Sequence, residues 1–564
     1  MIFKIKTCLT LLILVNSKIS SADDNEAPVV TLDQGKIQGH VLQSALENRL
    51  YYAYQEIPYA APPTGKLRFK EPTDPEKWNG IKNTTHNTLS CYLNGHNDEI
   101  APDVTESEDC LYLNVYTPVK PGSNSSIPVL FWIHGGGFYF GDATFQVYGP
   151  QYLIDYDIVI VTTNYRLGAF GFLTTEDDVI PGNLGLKDQH FALQWTRKYI
   201  KKFGGDPNQI TIVGESAGGM SVGFHLISQK SEGLFAGAIL QSGTATCSAS
   251  YQTHARYYAF KVGETLDKNF KSEDDNSTTL LEVLQKASAE DINKISLEIP
   301  EEYQRAIGGD SLVWVPVVEG ETLDGAYITG PMHDDIKSGN INLVPIMIGY
   351  NSEEEVVADG ESLKAEAVKM DANNSLIVRD SYNIKKEDKD DAGRLLKELY
   401  TTESFEADFS AMVKFMTDAK FSTPIIRHAE LQSEYTDVYL YQFSYKGMMG
   451  RTNTTIEGVE GVGHAEDLKY LWHIDRLDDG SLFPVGDRLT QRRLLKLWSN
   501  FVKYRNPTPE ADPLLNNISW PSVTTSKISY LNINRTLEVK TNPRQYQDYK
   551  KIVDKYAQSP LYTY

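Results

Sequence analysis

Two stretches, Val129-Leu-Phe-Trp-Ile133 and Asp157-Ile-Val-Ile-Val-Thr162, are apolar at every interior position. Successive strand residues point to opposite faces, so such runs predict strands buried on both sides. A third, Gln209-Ile-Thr-Ile-Val213, mixes polar and β-branched residues and reads as another strand. Helical stretches over 187–202 and 215–229 lie between and after them. Strands alternating with helices predict an α/β fold, a large, mostly parallel sheet flanked by helices. Leu343-Val-Pro-Ile-Met-Ile348 and Val438-Tyr-Leu-Tyr-Gln-Phe443 are predicted to extend that sheet. The regions 257–307 and 384–400 are polar and helix-like. The charge run Asn383–Asp391, which leads into the second of these, reads as a solvated helix start or loop. No internal repeat, Pro-rich linker or low-complexity tract interrupts the pattern.

The third strand runs into Gly214-Glu-Ser216-Ala-Gly218, a G-x-S-x-G pentapeptide that opens a helix. That strand–turn–helix context places a serine on a tight, strained turn and makes Ser216 the candidate nucleophile. A second match five residues later, Gly219-Met-Ser221-Val-Gly223, falls inside the helix, where no turn would expose Ser221. A serine hydroxyl needs a base to take its proton and donors to receive the oxyanion. The first strand ends in His134-Gly-Gly-Gly137, a glycine loop whose bare N–H groups, with that of Ala217, could face a tetrahedral intermediate.

With these residues in place, the chain resembles the type-B carboxylesterase and cholinesterase family of α/β-hydrolases, and within it the secreted insect carboxylesterases. The resemblance is carried by Ile57-Pro-Tyr-Ala-Ala-Pro-Pro-Thr-Gly65, Glu108-Asp-Cys-Leu-Tyr-Leu-Asn-Val-Tyr-Thr-Pro118 and Asn164-Tyr-Arg-Leu-Gly168. It continues in Phe203-Gly-Gly-Asp-Pro207, the Ser216 segment, Gln241-Ser-Gly243 and Gly463-His-Ala-Glu-Asp-Leu468. It implies an α/β-hydrolase with a Ser-acid-His triad in that chain order, the base being His464. The acid lies in Gly349-Tyr-Asn-Ser-Glu353-Glu354-Glu355; the family pattern selects Glu354, although Glu355 stands where the family has glycine. By the same matching Gly136, Gly137 and Ala217 are the oxyanion donors. Glu215 and Ser242 fall at positions near the triad, and Arg68 with Glu108, and Arg166 with Asp188, match structural ion pairs.

Length now takes on a different meaning. At typical domain sizes 564 residues would make three or four domains. Yet Ser216, Glu354 and His464 must meet, so residues 23–564 are expected to form one domain. The implied activity is hydrolysis of a small-molecule carboxylic ester through an acyl-enzyme, with no cofactor and no metal: there is no H-E-x-x-H, no P-loop and no Cys/His cluster. A cholinesterase-like enzyme is an alternative, but that branch uses a tryptophan between the first two loop cysteines, and none occurs between Cys91 and Cys110. A juvenile-hormone-type esterase is another, although those enzymes typically carry Gln where Glu215 stands. An inactive binding or adhesion homologue would lack a triad member.

Residues 1–22 read as a signal peptide: Lys4 and Lys6, the apolar run Thr7–Val15, then Ser20-Ser-Ala22. The expected destination is secretion to the extracellular space, without stable membrane insertion. Residues 556–564 lack the hydrophobic tail of a lipid-anchor signal. Loss of Lys4, Lys6 and Lys18 takes the formal charge from −21 to −24, a surface that repels nucleic acid. Of four cysteines Cys8 leaves with the signal, and spacing alone does not pair Cys91, Cys110 and Cys247; the resemblance implies Cys91–Cys110 as the family's first disulfide. Sequons at Asn83, Asn124, Asn276, Asn373, Asn453, Asn517 and Asn534 are expected glycosylation positions.

Overall fold

The computed structural model describes residues 27–92, 101, 103–307, 312–357, 360–450, 456–459, 461–474 and 483–564, with backbone alone for 300–307 and 357. The signal segment and the sequon at Asn453 lie outside them.

Eleven strands form one mixed sheet. In chain order they are β1 (His40–Gln43), β2 (Leu50–Pro58), β3 (Tyr112–Thr117), β4 (Ile127–Ile133), β5 (Val159–Thr163), β6 (Gly205–Glu215), β7 (Gly237–Gln241), β8 (Ile346–Asn351), β9 (Val438–Phe443), β10 (Ser529–Ile533) and β11 (Leu537–Thr541). Their spatial order is β11-β10-β9-β8-β7-β6-β4-β5-β3-β2-β1. Every junction from β5 through β4, β6, β7, β8 and β9 to β10 is parallel, and the junctions beyond, at both edges, are antiparallel.

The central runs Val129–Ile133 and Val159–Val161 are apolar at every position because both sheet faces are covered. Val129, Phe131 and Ile133 of β4 face the core that contains Leu186 and Leu193 of helix α1 (Leu184–Tyr199) and Val222 and Leu226 of α2 (Ala217–Ile227). The alternate residues Leu130 and Trp132 face the opposite core with Leu494, Leu497 and Trp498 of α3 (Val485–Tyr504). The hydrophobic effect thus acts on both sides of each central strand, about 1.5–3 kcal/mol for each large side chain removed from water.

Several boundaries differ from the sequence pattern. Glu215 is strand rather than helix, in register with Gln241. β8 starts at Ile346, because Leu343 is half exposed and Pro345 has no N–H for the ladder; its carbonyl instead accepts from Ala238. The polar stretch 257–307 becomes three helices, Ala255–Leu266, Ser277–Lys286 and Ala289–Ile307, the second capped by the Asn276 side chain, which accepts from Thr279 N. Among the predicted glycosylation positions, Asn83, Asn124, Asn276, Asn373 and Asn517 are exposed and Asn534 partly so. Cys91 and Cys110 are joined in a disulfide, and Cys247 is a buried free thiol whose burial lifts it to about 12.

Candidate active site

β6 ends at Glu215 and α2 begins at Ala217, so Ser216 alone makes the turn. Its backbone sits at φ 56°, ψ −123°, a region that non-glycine residues rarely occupy. The surrounding glycines permit the turn. A Cβ on Gly214 would lie 2.3 Å from Gly218 O, one on Gly218 would lie 2.1 Å from Ile133 O, and one on Gly243 would lie 2.2 Å from Ser216 O. Ser216 N–H donates to Gln241 O at 2.8 Å, which ties the turn to the end of β7.

His464 Nε2 lies 2.8 Å from Ser216 Oγ, and His464 Nδ1 lies 2.7 Å from Glu354 Oε2. The second distance is that of a charge-assisted hydrogen bond to a carboxylate. The loops carrying Glu354 and His464 are zipped together: Glu353 N donates to Val462 O, Val462 N to Ser352 Oγ, and His464 N to Glu354 O. Asn351, the last residue of β8, joins both. Its N–H donates to Glu354 Oε1 at 2.6 Å and its carboxamide to Gly463 O at 2.8 Å. The neighbouring carboxylates face away, Glu353 toward Arg544 at 3.6 Å and Glu355 toward Lys420 at 3.2 Å.

A second carboxylate reaches the same imidazole: Glu215 Oε1 is 3.3 Å from His464 Nε2. Burial pushes the ring's pKa down, but the charge of Glu215, then the hydrogen bond and charge of Glu354, carry it up to about 9. Behind the site, burial lifts Asp467 to about 6 against the hydrogen bond it accepts from Gln241 Nε2 at 2.7 Å. Phe421, presented by the π-turn Asp418–Ser422, packs its ring 4.8 Å from that of His464. Neither Asn351 nor Phe421 was legible as part of the site. Asn351 lies in the same Gly-x-Asn segment as Glu354, whereas a single Phe in a helical stretch carries no signal.

The glycine loop closes on the other side of Ser216. Gly136 and Gly137 have φ of 105° and 61°, and a Cβ on Gly135 would lie 3.1 Å from Ser216 Cβ. Among the described residues no protein group accepts the N–H of Gly136, Gly137 or Ala217. Ala217 is the first residue of α2, where the helix leaves N–H groups open. Chemically, the arrangement can pass a proton from a hydroxyl to an imidazole steadied by a carboxylate, with amide donors alongside. Further out, Arg68 binds both oxygens of Glu108 at 2.6 Å and Arg166 both oxygens of Asp188 at 2.7 Å. No group of metal-ligating side chains occurs among the described residues.

Comparison with known proteins places this geometry. Residues 26–550 match the model of the carboxylesterase family. The chain is 31% identical to juvenile hormone esterase of Tribolium castaneum, covering 90% of this chain and 88% of that one. It is 31% identical to venom carboxylesterase-6 of Apis mellifera over 93% and 94% of the two chains, and 30% identical to acylcarnitine hydrolase of Mus musculus over 97% of each. The crystal structure of juvenile hormone esterase from Manduca sexta, with OTFP covalently attached, superposes with a TM-score of 0.80 at 27% identity, over 94% of this chain and 99% of that one. With sequence, fold and site in agreement, the chain belongs to the carboxylesterase family and is a carboxylic ester hydrolase with the α/β-hydrolase fold.

Proposed function

We propose that the protein is a secreted serine carboxylesterase that cleaves small carboxylic esters through an acyl-enzyme on Ser216. The observation that carries this reading is the unbroken hydrogen-bond chain from Ser216 Oγ through His464 to Glu354 Oε2. Ser216 Oγ attacks the ester carbonyl carbon as its proton passes to His464 Nε2. Glu354 holds the Nδ1–H tautomer and stabilises the imidazolium. The N–H groups of Gly136, Gly137 and Ala217 receive the oxyanion, each donor being worth about 2.7–4 kcal/mol in comparable sites. The tetrahedral intermediate collapses, the C–O bond to the alcohol breaks, and His464 returns the proton to the departing oxygen. Water, activated by the same imidazole, then cleaves the acyl-enzyme and restores Ser216.

Residues 23–564 act as one catalytic unit in this reading, because the four contributing loops follow strands β4, β6, β8 and β9 of the one central sheet. Secretion rests on the signal-like segment and the exposed sequons; no helix among the described residues is long and apolar enough to cross a membrane. The test is a burst experiment with p-nitrophenyl esters of increasing acyl length. One equivalent of p-nitrophenol released ahead of steady state, with a fluorophosphonate label mapped to Ser216, is the expected result. No burst together with a label elsewhere would overturn the reading.

Hydrolysis of a juvenile-hormone-like ester is a second reading, favoured by the likeness to the Tribolium and Manduca enzymes. Glu215 bears on both readings through pH. The base must be neutral to accept the serine proton, and two carboxylates hold its pKa near 9, so kcat/KM is expected to rise with pH through that region. Glu215→Gln removes one of the two charges and should move this acid limb to lower pH by about 1 unit or more. A pH–rate profile that stays in place would show that Glu215 does not act on His464.

A further inference from the structure

An oxyanion hole built from backbone N–H groups works only if each peptide plane is held, since the plane can rotate while the chain path stays the same. In a trans peptide the C=O of one residue and the N–H of the next point in opposite directions. Pinning the carbonyl therefore aims the N–H. The three carbonyls behind the three candidate donors are pinned in different ways. Ser216 O, behind Ala217 N–H, accepts from Met220 N at 2.9 Å. Gly136 O, behind Gly137 N–H, accepts from both Tyr139 N and Phe140 N at 3.0 Å. Both of these are backbone bonds. Gly135 O, behind Gly136 N–H, instead lies 2.8 Å from a side-chain atom, Nδ1 of His134.

A carbonyl oxygen can only accept, so this ring nitrogen carries the hydrogen. The rest of the ring's surroundings keep it in that orientation. His134 is buried and stacks on Tyr165 with centroids 4.4 Å apart and planes inclined by 21°. The Tyr165 hydroxyl donates to His134 O at 3.0 Å. Gly141 lets the chain close over the ring, since a Cβ there would lie 2.5 Å from Nδ1. Burial lowers the His134 pKa to about 4, with Gly135 O and the charge of Asp142 opposing, so the ring stays neutral at working pH with its one proton on Nδ1.

We infer that His134 is a positioning residue for the esterase reaction: through its Nδ1–H···O=C bond to Gly135 it aims the Gly136 N–H at the developing oxyanion. The inference rests on the reading of the glycine loop as an oxyanion hole. It sets His134 apart from the two backbone pins, because its contact is the one that a point mutation can delete. It also predicts a particular kinetic signature, since an oxyanion donor acts on the transition state rather than on bound ester.

Two variants separate aim from packing. His134→Phe keeps an aromatic ring against Tyr165 and removes the donor. His134→Asn removes the ring and keeps an N–H donor one bond from Cγ, as in Nδ1. Turnover of a p-nitrophenyl ester by His134→Phe is expected to fall about 100-fold in kcat, with KM within about 2-fold of wild type. His134→Asn is expected to recover at least about 10-fold of that loss. Asparagine no better than phenylalanine, or KM rising in step with the fall in kcat, would overturn the role. Should the phenylalanine variant not accumulate as folded protein, His134→Leu takes its place under the same criterion. A wild-type burst accompanied by equal turnover in both variants would remove His134 alone, whereas a wild-type enzyme with no burst and a fluorophosphonate label mapped away from Ser216 would remove the underlying reading as well.

Discussion

Ser216→Ala is expected to lower kcat/KM by about 10⁵-fold or more and to abolish the p-nitrophenol burst. The substitution deletes the nucleophilic oxygen and nothing else that the fold uses. Ser216 Oγ has His464 Nε2 as its hydrogen-bond partner, while the turn itself is held by backbone bonds to Gln241 O and from Met220 N. Alanine meets the same φ of 56° as serine, so the strain of the turn is unchanged. Thermal stability should therefore stay within about 1 kcal/mol of wild type. Stopped-flow absorbance and a melting curve on the same preparation check both halves. A folded variant retaining a tenth of wild-type turnover would mean that another group attacks the ester.

Glu354→Gln should cost about 10³- to 10⁴-fold in kcat, and the reason lies in hydrogen-bond polarity. Glu354 Oε1 accepts from Asn351 N at 2.6 Å, and that backbone group can only donate. A glutamine in the same place must turn its carbonyl oxygen to Asn351, which leaves its NH₂ facing His464 Nδ1. The imidazole then carries its proton on Nε2 and cannot accept one from Ser216. Glu353→Gln and Glu355→Gln, whose parent carboxylates face Arg544 and Lys420, should stay within about 5-fold of wild type. Steady-state kinetics on the three variants assign the acid, and comparable losses at position 353 or 355 would contradict the assignment to Glu354.

How much of this was legible in the sequence depended on whether the signal was local. β4 and β5 could be read because both of their faces are buried, which leaves an apolar run that polar residues do not break. Ser216 could be read because a strained turn between strand and helix demands glycines at fixed offsets, and a methyl at Gly214 or Gly218 would strike a backbone carbonyl. His464 and Glu354 had no such local mark. One histidine among eleven becomes a base only through a partner 248 residues away, so their selection rested on resemblance. Glu215 was matched to the neighbourhood of the triad, but its 3.3 Å approach to His464 Nε2 depends on where the strand ends, which periodicity had set two residues too early. Phe421 is presented by a π-turn that neither helical nor strand periodicity describes.

The glycines around Ser216 also bear on how this enzyme could be altered. Gly214, Gly218, Gly219 and Gly243 touch no substrate in the proposed chemistry, yet a single added methyl at any of them would come within 3 Å of a neighbouring carbonyl oxygen. A library that randomises residues by their distance from Ser216 would spend much of its diversity on such positions and return inactive clones that say nothing about selectivity. Phe421 offers a better target: its ring lies against that of His464, and it is supported from a turn rather than from the sheet. Directed evolution toward new esters should start there and hold the glycines fixed.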